Sequence, residues 1–181
     1  MQLLHMVKSY LALQVAYVVK EGTTLDDRLF RNAMGKFATG VTVLLTENEG
    51  ETHGMTANGF MSVSLDPKLV VISIGHKAKF LDKVTQSKKY TVNVLAQDQE
   101  NYSRHFAGQP GDVVQFDTLA GQPVLQGVVA QIACEVVGQH VEGDHTLFIG
   151  KVVDLKLEEK DPLLFFSGKY RQLETLAEVN A

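Results

Sequence analysis

Val41-Thr-Val-Leu-Leu-Thr-Glu-Asn-Glu-Gly-Glu-Thr-His-Gly-Met55 decides how the rest of the chain reads. Its first six residues are mostly β-branched and apolar, the signature of a strand. Glu47-Asn-Glu-Gly50 is polar and ends in glycine, as a hairpin turn requires, and Thr52 to Met55 returns as a second strand. The pattern repeats downstream. Phe60 to Ser64 alternates, Asp66-Pro67 breaks it, and Leu69-Val-Val-Ile-Ser-Ile74 is a buried strand closed by Gly75. These strands follow one another too closely for βαβ crossovers, which take about 30 residues each.

Further strands are predicted at Tyr90–Leu95, Val128–Val137, Leu147–Leu157 and Leu163–Phe166. Helices are predicted at three places. From Asp26 to Phe37 the residues Leu29, Phe30, Ala33, Met34 and Phe37 fall on one apolar face, and Gly40 follows. Lys79 to Thr85 places Phe80, Leu81 and Val84 inside, and Gln97 to Phe106 reads as a polar surface helix. Gly108-Gln-Pro-Gly111 and Gly121-Gln-Pro123 mark a loop-rich stretch. Seven or eight strands with short helices between them predict a mostly β, antiparallel barrel with helices packed outside.

The 181 residues fit one domain with a terminal arm. Residues 1–25 are set apart from the barrel domain, 26–173, and residues 174–181 form a C-terminal tail. The apolar run Leu11 to Val19 lies between Lys8 and Lys20 and is about half the length needed to span a bilayer. It reads as a packing or dimerisation helix, a membrane-surface element or an appended arm; the arm is favoured because a helix start with Thr23, Thr24, Asp26 and Asp27 follows it. No membrane partner is expected. A net charge of −4 gives no electrostatic basis for binding nucleic acid. The single cysteine, Cys134, excludes an intrachain disulfide and makes a cytoplasmic setting the default.

Several catalytic signatures are missing. There is no Gly-x-Gly-x-x-Gly, no His-Glu-x-x-His and no Gly-x-Ser-x-Gly. Gly35-Lys-Phe-Ala-Thr-Gly40 imitates a phosphate loop, but Val41 stands where the lysine is needed and the strand comes after it. His140, Glu142, Asp144 and His145 cluster locally; a hairpin turn with one functional histidine is preferred to a metal site, so no metal is expected. Cys134, flanked by Ile132, Ala133 and Val136, reads as a buried small hydrophobe.

Two segments carry more polar chemistry than packing needs. Gly54-Met-Thr-Ala-Asn-Gly-Phe-Met-Ser-Val-Ser64 sets hydroxyls and an amide among small residues that let a ligand approach the backbone. Gly75-His-Lys-Ala-Lys79 puts two lysines at the start of a helix, a plausible pyrophosphate site. Each segment also reads as an ordinary turn or a solvated surface. Together they describe a ligand with a phosphate tail and a planar, hydrogen-bonding head.

With three further blocks, these segments resemble the flavin reductase-like domain of the FMN-binding split-barrel type. The blocks are Phe30-Arg-Asn-Ala-Met-Gly-Lys-Phe-Ala-Thr-Gly-Val-Thr-Val43, Gly54 to Pro67, Phe106-Ala-Gly108, Gly143-Asp-His-Thr-Leu-Phe-Ile-Gly150 and Pro162-Leu-Leu-Phe-Phe-Ser-Gly-Lys-Tyr170. Within the family the chain looks most similar to the reductase components of two-component phenol and 4-hydroxyphenylacetate hydroxylases. The resemblance implies a homodimer of antiparallel, Greek-key split barrels. It also implies NADH-dependent reduction of free FAD, with FMN as the second possibility, and delivery of the reduced flavin to a separate monooxygenase.

The resemblance further implies roles for particular residues. Thr56, Ala57 and Asn58 line the isoalloxazine edge, and Ser62, Val63 and Ser64 meet the ribityl–phosphate portion. Gly75, His76, Lys77, Ala78 and Lys79 hold the phosphates, while Phe106, with His105 beside it, lies close to the flavin. Gly143, Asp144 and the catalytic candidate His145, with the Gly168-Lys-Tyr170 turn, face the nicotinamide. Tyr170 is either a stacking wall or core. Gly59 follows the motif asparagine where relatives often carry alanine or serine. Two other readings on the same barrel are a non-catalytic flavin carrier and a flavin oxidase acting on a small substrate. A barrel of this size has little room for both a core and a two-cofactor pocket, so pairing two chains would supply the missing walls.

Overall fold

Three hairpins turn on two-residue loops with left-handed backbone at both positions: Glu49-Gly50, Ala120-Gly121 and Ser167-Gly168. That geometry matches the right-handed twist of paired strands, and glycine occupies the second position each time. A fourth two-residue loop, Gly143-Asp144, joins the two longest strands. In this computed structural model the described residues are 25–111 and 113–174. The chain divides into two compact units, Met1–Met34 and Gly35–Ala181.

In the first unit the described structure is helix α1, Asp27–Met34. It is shorter than the sequence predicts, and Phe37 falls outside it. The predicted apolar face is not buried: Leu29, Phe30 and Met34 are each more than half exposed. The arm predicted for residues 1–25 lies outside the described residues save Leu25, and so does most of the predicted tail.

The second unit holds twelve strands among the described residues. They are β1 (Thr39–Gly40), β2 (Thr42–Asn48), β3 (Glu51–Ala57), β4 (Phe60–Leu65), β5 (Lys68–Gly75) and β6 (Lys89–Val94). Then come β7 (Phe116–Leu119), β8 (Gln122–Leu125), β9 (Ala130–Glu142), β10 (His145–Leu157), β11 (Leu164–Phe166) and β12 (Lys169–Arg171). Helices α2 (Phe80–Ser87) and α3 (Glu100–Phe106) lie between strands. Seven strands form one antiparallel sheet in the order β3-β2-β6-β9-β10-β5-β4. The β5–α2–β6 connection skips the β9–β10 pair, a Greek-key type of return. The edge strands β3 and β4 are consecutive in sequence yet not hydrogen-bonded to each other, so the ladder stays open.

Alternation places the core. On β5, Val70, Ile72 and Ile74 are buried while Leu69, Val71 and Ser73 are half-buried on the other face. With Leu44, Phe80, Val84, Tyr90, Val92, Cys134 and Phe148 they form one core cluster. Burying each large aliphatic side chain there contributes about 1.5–3 kcal/mol. A second cluster gathers Val41, Val43, Leu45, Leu95, Leu125, Val128 and Leu163. Burial pushes the Cys134 thiol up to about 12, consistent with a packed hydrophobe.

The stretch expected to be loop-rich contains the β7–β8 hairpin. A buried polar network fastens it to the sheet. Thr91 Oγ1 donates to the Pro123 carbonyl (2.7 Å), and the Leu125 N–H donates to Asn93 Oδ1 (2.8 Å). Gln131 Nε2 donates to the Leu125 carbonyl (2.6 Å), and Asn93 Nδ2 to that of Val43 (3.1 Å). Each partner is satisfied, which removes the penalty of burying these groups.

Candidate functional site

Two places on the sheet gather the polar and aromatic residues singled out in the sequence. The first lies where α3 crosses β3. Thr56 Oγ1 donates to the Ser103 carbonyl (2.6 Å), and the Ser103 and Tyr170 hydroxyls are 2.9 Å apart. The helix expected to be a polar surface element therefore has an inward face. Ser103 is buried, and Tyr102 and Phe106 pack on the second core with Phe165 and Tyr170.

Phe106 is boxed by other rings. His105 meets it edge-on at a centroid distance of 4.9 Å, and Phe116 lies at 6.5 Å. Arg104 sits 5.2 Å above the Tyr170 ring, and its Nε donates to Glu100 (2.7 Å). Tyr170 also lines an open depression of about 380 Å³ with Gln97, Glu100 and Arg171. It serves as both a core-packing ring and a cavity wall.

The second place is the end of β5 beside the β9–β10 turn. His145 pairs with Gly75 across the ladder, and a Cβ on Gly75 would lie 3.4 Å from His145 Nε2. The His76 N–H donates to the Asp144 carbonyl (2.9 Å), and Thr146 Oγ1 lies 3.3 Å from His76 Nε2. Asp144 Oδ1 and His145 Nδ1 are 2.7 Å apart. That hydrogen bond, then the His145 charge, holds the Asp144 carboxyl below its ordinary range. The 143–145 block and the 75–79 segment, separate in sequence, thus share one locus. His140 pairs with Leu147, two pairs along the ladder from His145, and among the described residues no group of three His, Cys, Asp or Glu side chains is placed to hold a metal ion.

Asn58 and Gly59 form the β3–β4 junction, where the Ser73 N–H donates to the Gly59 carbonyl (2.9 Å). This puts the junction near the Gly75 end of β5. Ser62 instead pairs with Val70, five residues from Gly75, or about 17 Å of strand. The register shifts between Ser62 and Ser64, which makes Val63 a bulge on an edge strand. The structure thus spreads the 62–64 and 75–79 segments along β5.

Flavin-binding fit can be judged from the donors. The side chains of Asn58, Ser62, Ser64, Lys77 and Lys79 make no hydrogen bond or ion pair with another described residue, and all but the half-buried Ser64 are exposed. Amide, hydroxyl and ammonium donors of this kind suit the carbonyl edge, ribityl chain and phosphates of a flavin. Thr56 differs, because its proton is already committed to Ser103.

The match to a family model runs over residues 34–174, described as flavin reductase like domain. The chain belongs to that family. It is 46% identical over 151 residues to an NADH-dependent flavin reductase from Rhodococcus sp, covering 81% of this chain and 86% of the relative. It is 36% identical to the 4-hydroxyphenylacetate 3-monooxygenase reductase component of Thermus thermophilus, covering 80% and 95%. The solved structure of flavin reductase PheA2 superposes with a TM-score of 0.82 at 63% identity, covering 83% of this chain and all of that one.

Family membership changes how the absent catalytic signatures read. A flavin reductase uses the redox chemistry of its cofactors, so no triad or carboxylate pair is required. Sequence reasoning missed two contributors at the first place. Ser103 gave no signal beyond lying one helical turn from Phe106. Gly54 did give one, a glycine inside a strand, which marks a close approach.

Proposed function

We infer that this protein is an NADH-dependent flavin reductase that hands reduced flavin to a separate monooxygenase. The observation that carries the reading is the likeness, over most of both chains, to a named NADH-dependent flavin reductase. The likeness to a monooxygenase reductase component supports the separate partner. A bound flavin, FAD or FMN, supplies hydride acceptance from the nicotinamide.

The chain's own residues bind and orient. Asn58, with the backbone of Thr56 and Ala57, addresses the polar edge of the flavin ring. Ser62 and Ser64, on either side of Val63 and about 17 Å along the strand from Gly75, address the ribityl chain, which leaves the phosphates to the 75–79 segment. Lys77 and Lys79 offset phosphate charge, with Gly75, His76 and Ala78 shaping the turn; the Ala78 N–H donates to the Gly75 carbonyl (2.9 Å). The edge-on rings of Phe106 and His105 form an aromatic wall beside the flavin. On the nicotinamide side, Gly143 turns the chain, Asp144 orients His145, and His145 Nε2 faces the substrate. Gly168 and Tyr170 bound the pocket from the Phe106 side, where the Tyr170 hydroxyl meets that of Ser103.

A homodimer is part of this proposal. Met61, Val63 and Leu65 on the edge strand β4 are exposed, as are Val153, Leu155 and Leu157 on β10 and the apolar face of α1. Exposed apolar surface of this extent supports pairing with a second copy. A sedimentation mass twice the 19.9 kDa of the chain is expected, and a mass equal to it contradicts pairing. A cytoplasmic setting is supported by the single buried cysteine. Among the described residues no helix is long and apolar enough to cross a membrane.

The test is NADH consumption under air with catalytic protein and added FAD or FMN. Loss of NADH that requires both protein and flavin is expected. A flavin carrier would bind the flavin and leave NADH untouched.

A further inference from the structure

We propose that Gly54 is a positioning residue: by having no side chain, it sets the depth of the Phe106 ring and, through it, the seat of the flavin ring system. This rests on the flavin reductase reading and assigns a role to a residue outside the expected ligand set.

Gly54 and Thr56 lie two apart on β3 and so share a face. Thr56 fixes α3 through the Ser103 carbonyl. Phe106 comes one helical turn after Ser103 and lands on Gly54. A Cβ built on Gly54 would stand 2.5 Å from both Cδ1 and Cε1 of Phe106 and 2.7 Å from Leu45 Cδ2. Real Cβ atoms do not approach so closely, so the ring lies against backbone at a depth only glycine permits.

The ring has no easy retreat. His105 lies edge-on to it and is itself hemmed in, because a Cβ on Gly111 would stand 2.6 Å from His105 Nδ1. Phe116 closes another side. Phe106 is nevertheless only half-buried, so part of the ring remains available to a planar ligand. Glycine weakens a strand interior, and the close approach of this ring accounts for its use here.

The test is a double-mutant cycle on Gly54→Ala and Phe106→Leu, read by flavin Kd from fluorescence quenching and by melting temperature. Gly54→Ala is expected to weaken flavin binding about tenfold with Phe106 in place and less than about twofold in the Phe106→Leu background. KM for NADH at saturating flavin should change less than about twofold. Equal losses in both backgrounds, or no loss with Phe106 in place, overturn the proposal.

Should Gly54→Ala fail to fold, the comparison moves to the Leu45→Val background, which removes the Leu45 Cδ2 contact. A loss of about tenfold there supports the proposal, and a loss under about twofold overturns it. A wild-type protein that binds flavin and consumes NADH while Gly54→Ala binds normally sinks this inference alone. A wild-type protein that binds no flavin sinks the functional reading with it.

Discussion

Asp144 grips His145 from the adjacent position, with Oδ1 2.7 Å from Nδ1, while Gly75 leaves room beside Nε2 on the neighbouring strand. The ring is thus oriented by one nitrogen and presented by the other. Replacing His145 by alanine removes the presented nitrogen and leaves the flavin-binding segments in place. We expect KM for NADH to rise about tenfold, the worth of one hydrogen bond to a polar ligand. Flavin Kd should stay within about twofold. Titration of each ligand separately checks this, and a collapse of flavin binding would move His145 to the flavin side of the site.

The same pair has a pH signature. Asp144 is held below the ordinary carboxylate range first by its hydrogen bond with His145 and then by the His145 charge. A lowered folded-state pKa gives stabilisation that is present above the ordinary value and lost as pH falls through the lowered one. The Asp144 side chain is 94% exposed, so solvent and salt screen the effect and its weight in stability is small. Carboxyl NMR titration is the sensitive readout. Asp144 should titrate below the ordinary aspartate range and return to it in His145→Ala; no change on that substitution would show that the pair does not persist in solution.

How much of this was readable beforehand differs by element. The β2–β3 hairpin was legible because Glu47 to Gly50 is a polar break between β-branched runs. The β7–β8 hairpin was not. Its turn is Ala120-Gly121, with Ala120 at a φ of 49°, a left-handed conformation that alanine does not advertise. Pro123 reinforced the impression of a loop, yet it sits in a two-stranded sheet where no central ladder needs its N–H. The inward face of α3 was not legible, because its buried Ser103 is anchored by partners distant in sequence, Thr56 and Tyr170. The His145 and Lys77–Lys79 segments were legible one by one as chemistry. Their meeting at the end of β5 depends on the β5–β10 register, which no local pattern encodes.

Gly150 shows the same close approach as Gly54, but inside the core. A Cβ there would overlap the Tyr90 hydroxyl and press on Cys134 Cβ at 3.0 Å. Burial raises the Tyr90 phenol well above its usual range, as expected of a hydroxyl enclosed in the core. Gly150→Ala should destabilise the fold by about 1–3 kcal/mol through overpacking. Tyr90→Phe in the same chain, which removes the overlapping oxygen, should recover part of that loss. Urea unfolding of both variants checks it, and additive losses would show that the two residues are not in contact.

The central claim is transfer of reducing equivalents from NADH to flavin on this chain. Its most direct test is anaerobic mixing of the purified protein with NADH and an excess of FAD or FMN, following the visible absorbance of the flavin. The account predicts bleaching that depends on the protein and consumes one NADH per flavin reduced, as a two-electron hydride transfer requires. Flavin that stays oxidised, at the rate seen without protein, would contradict it.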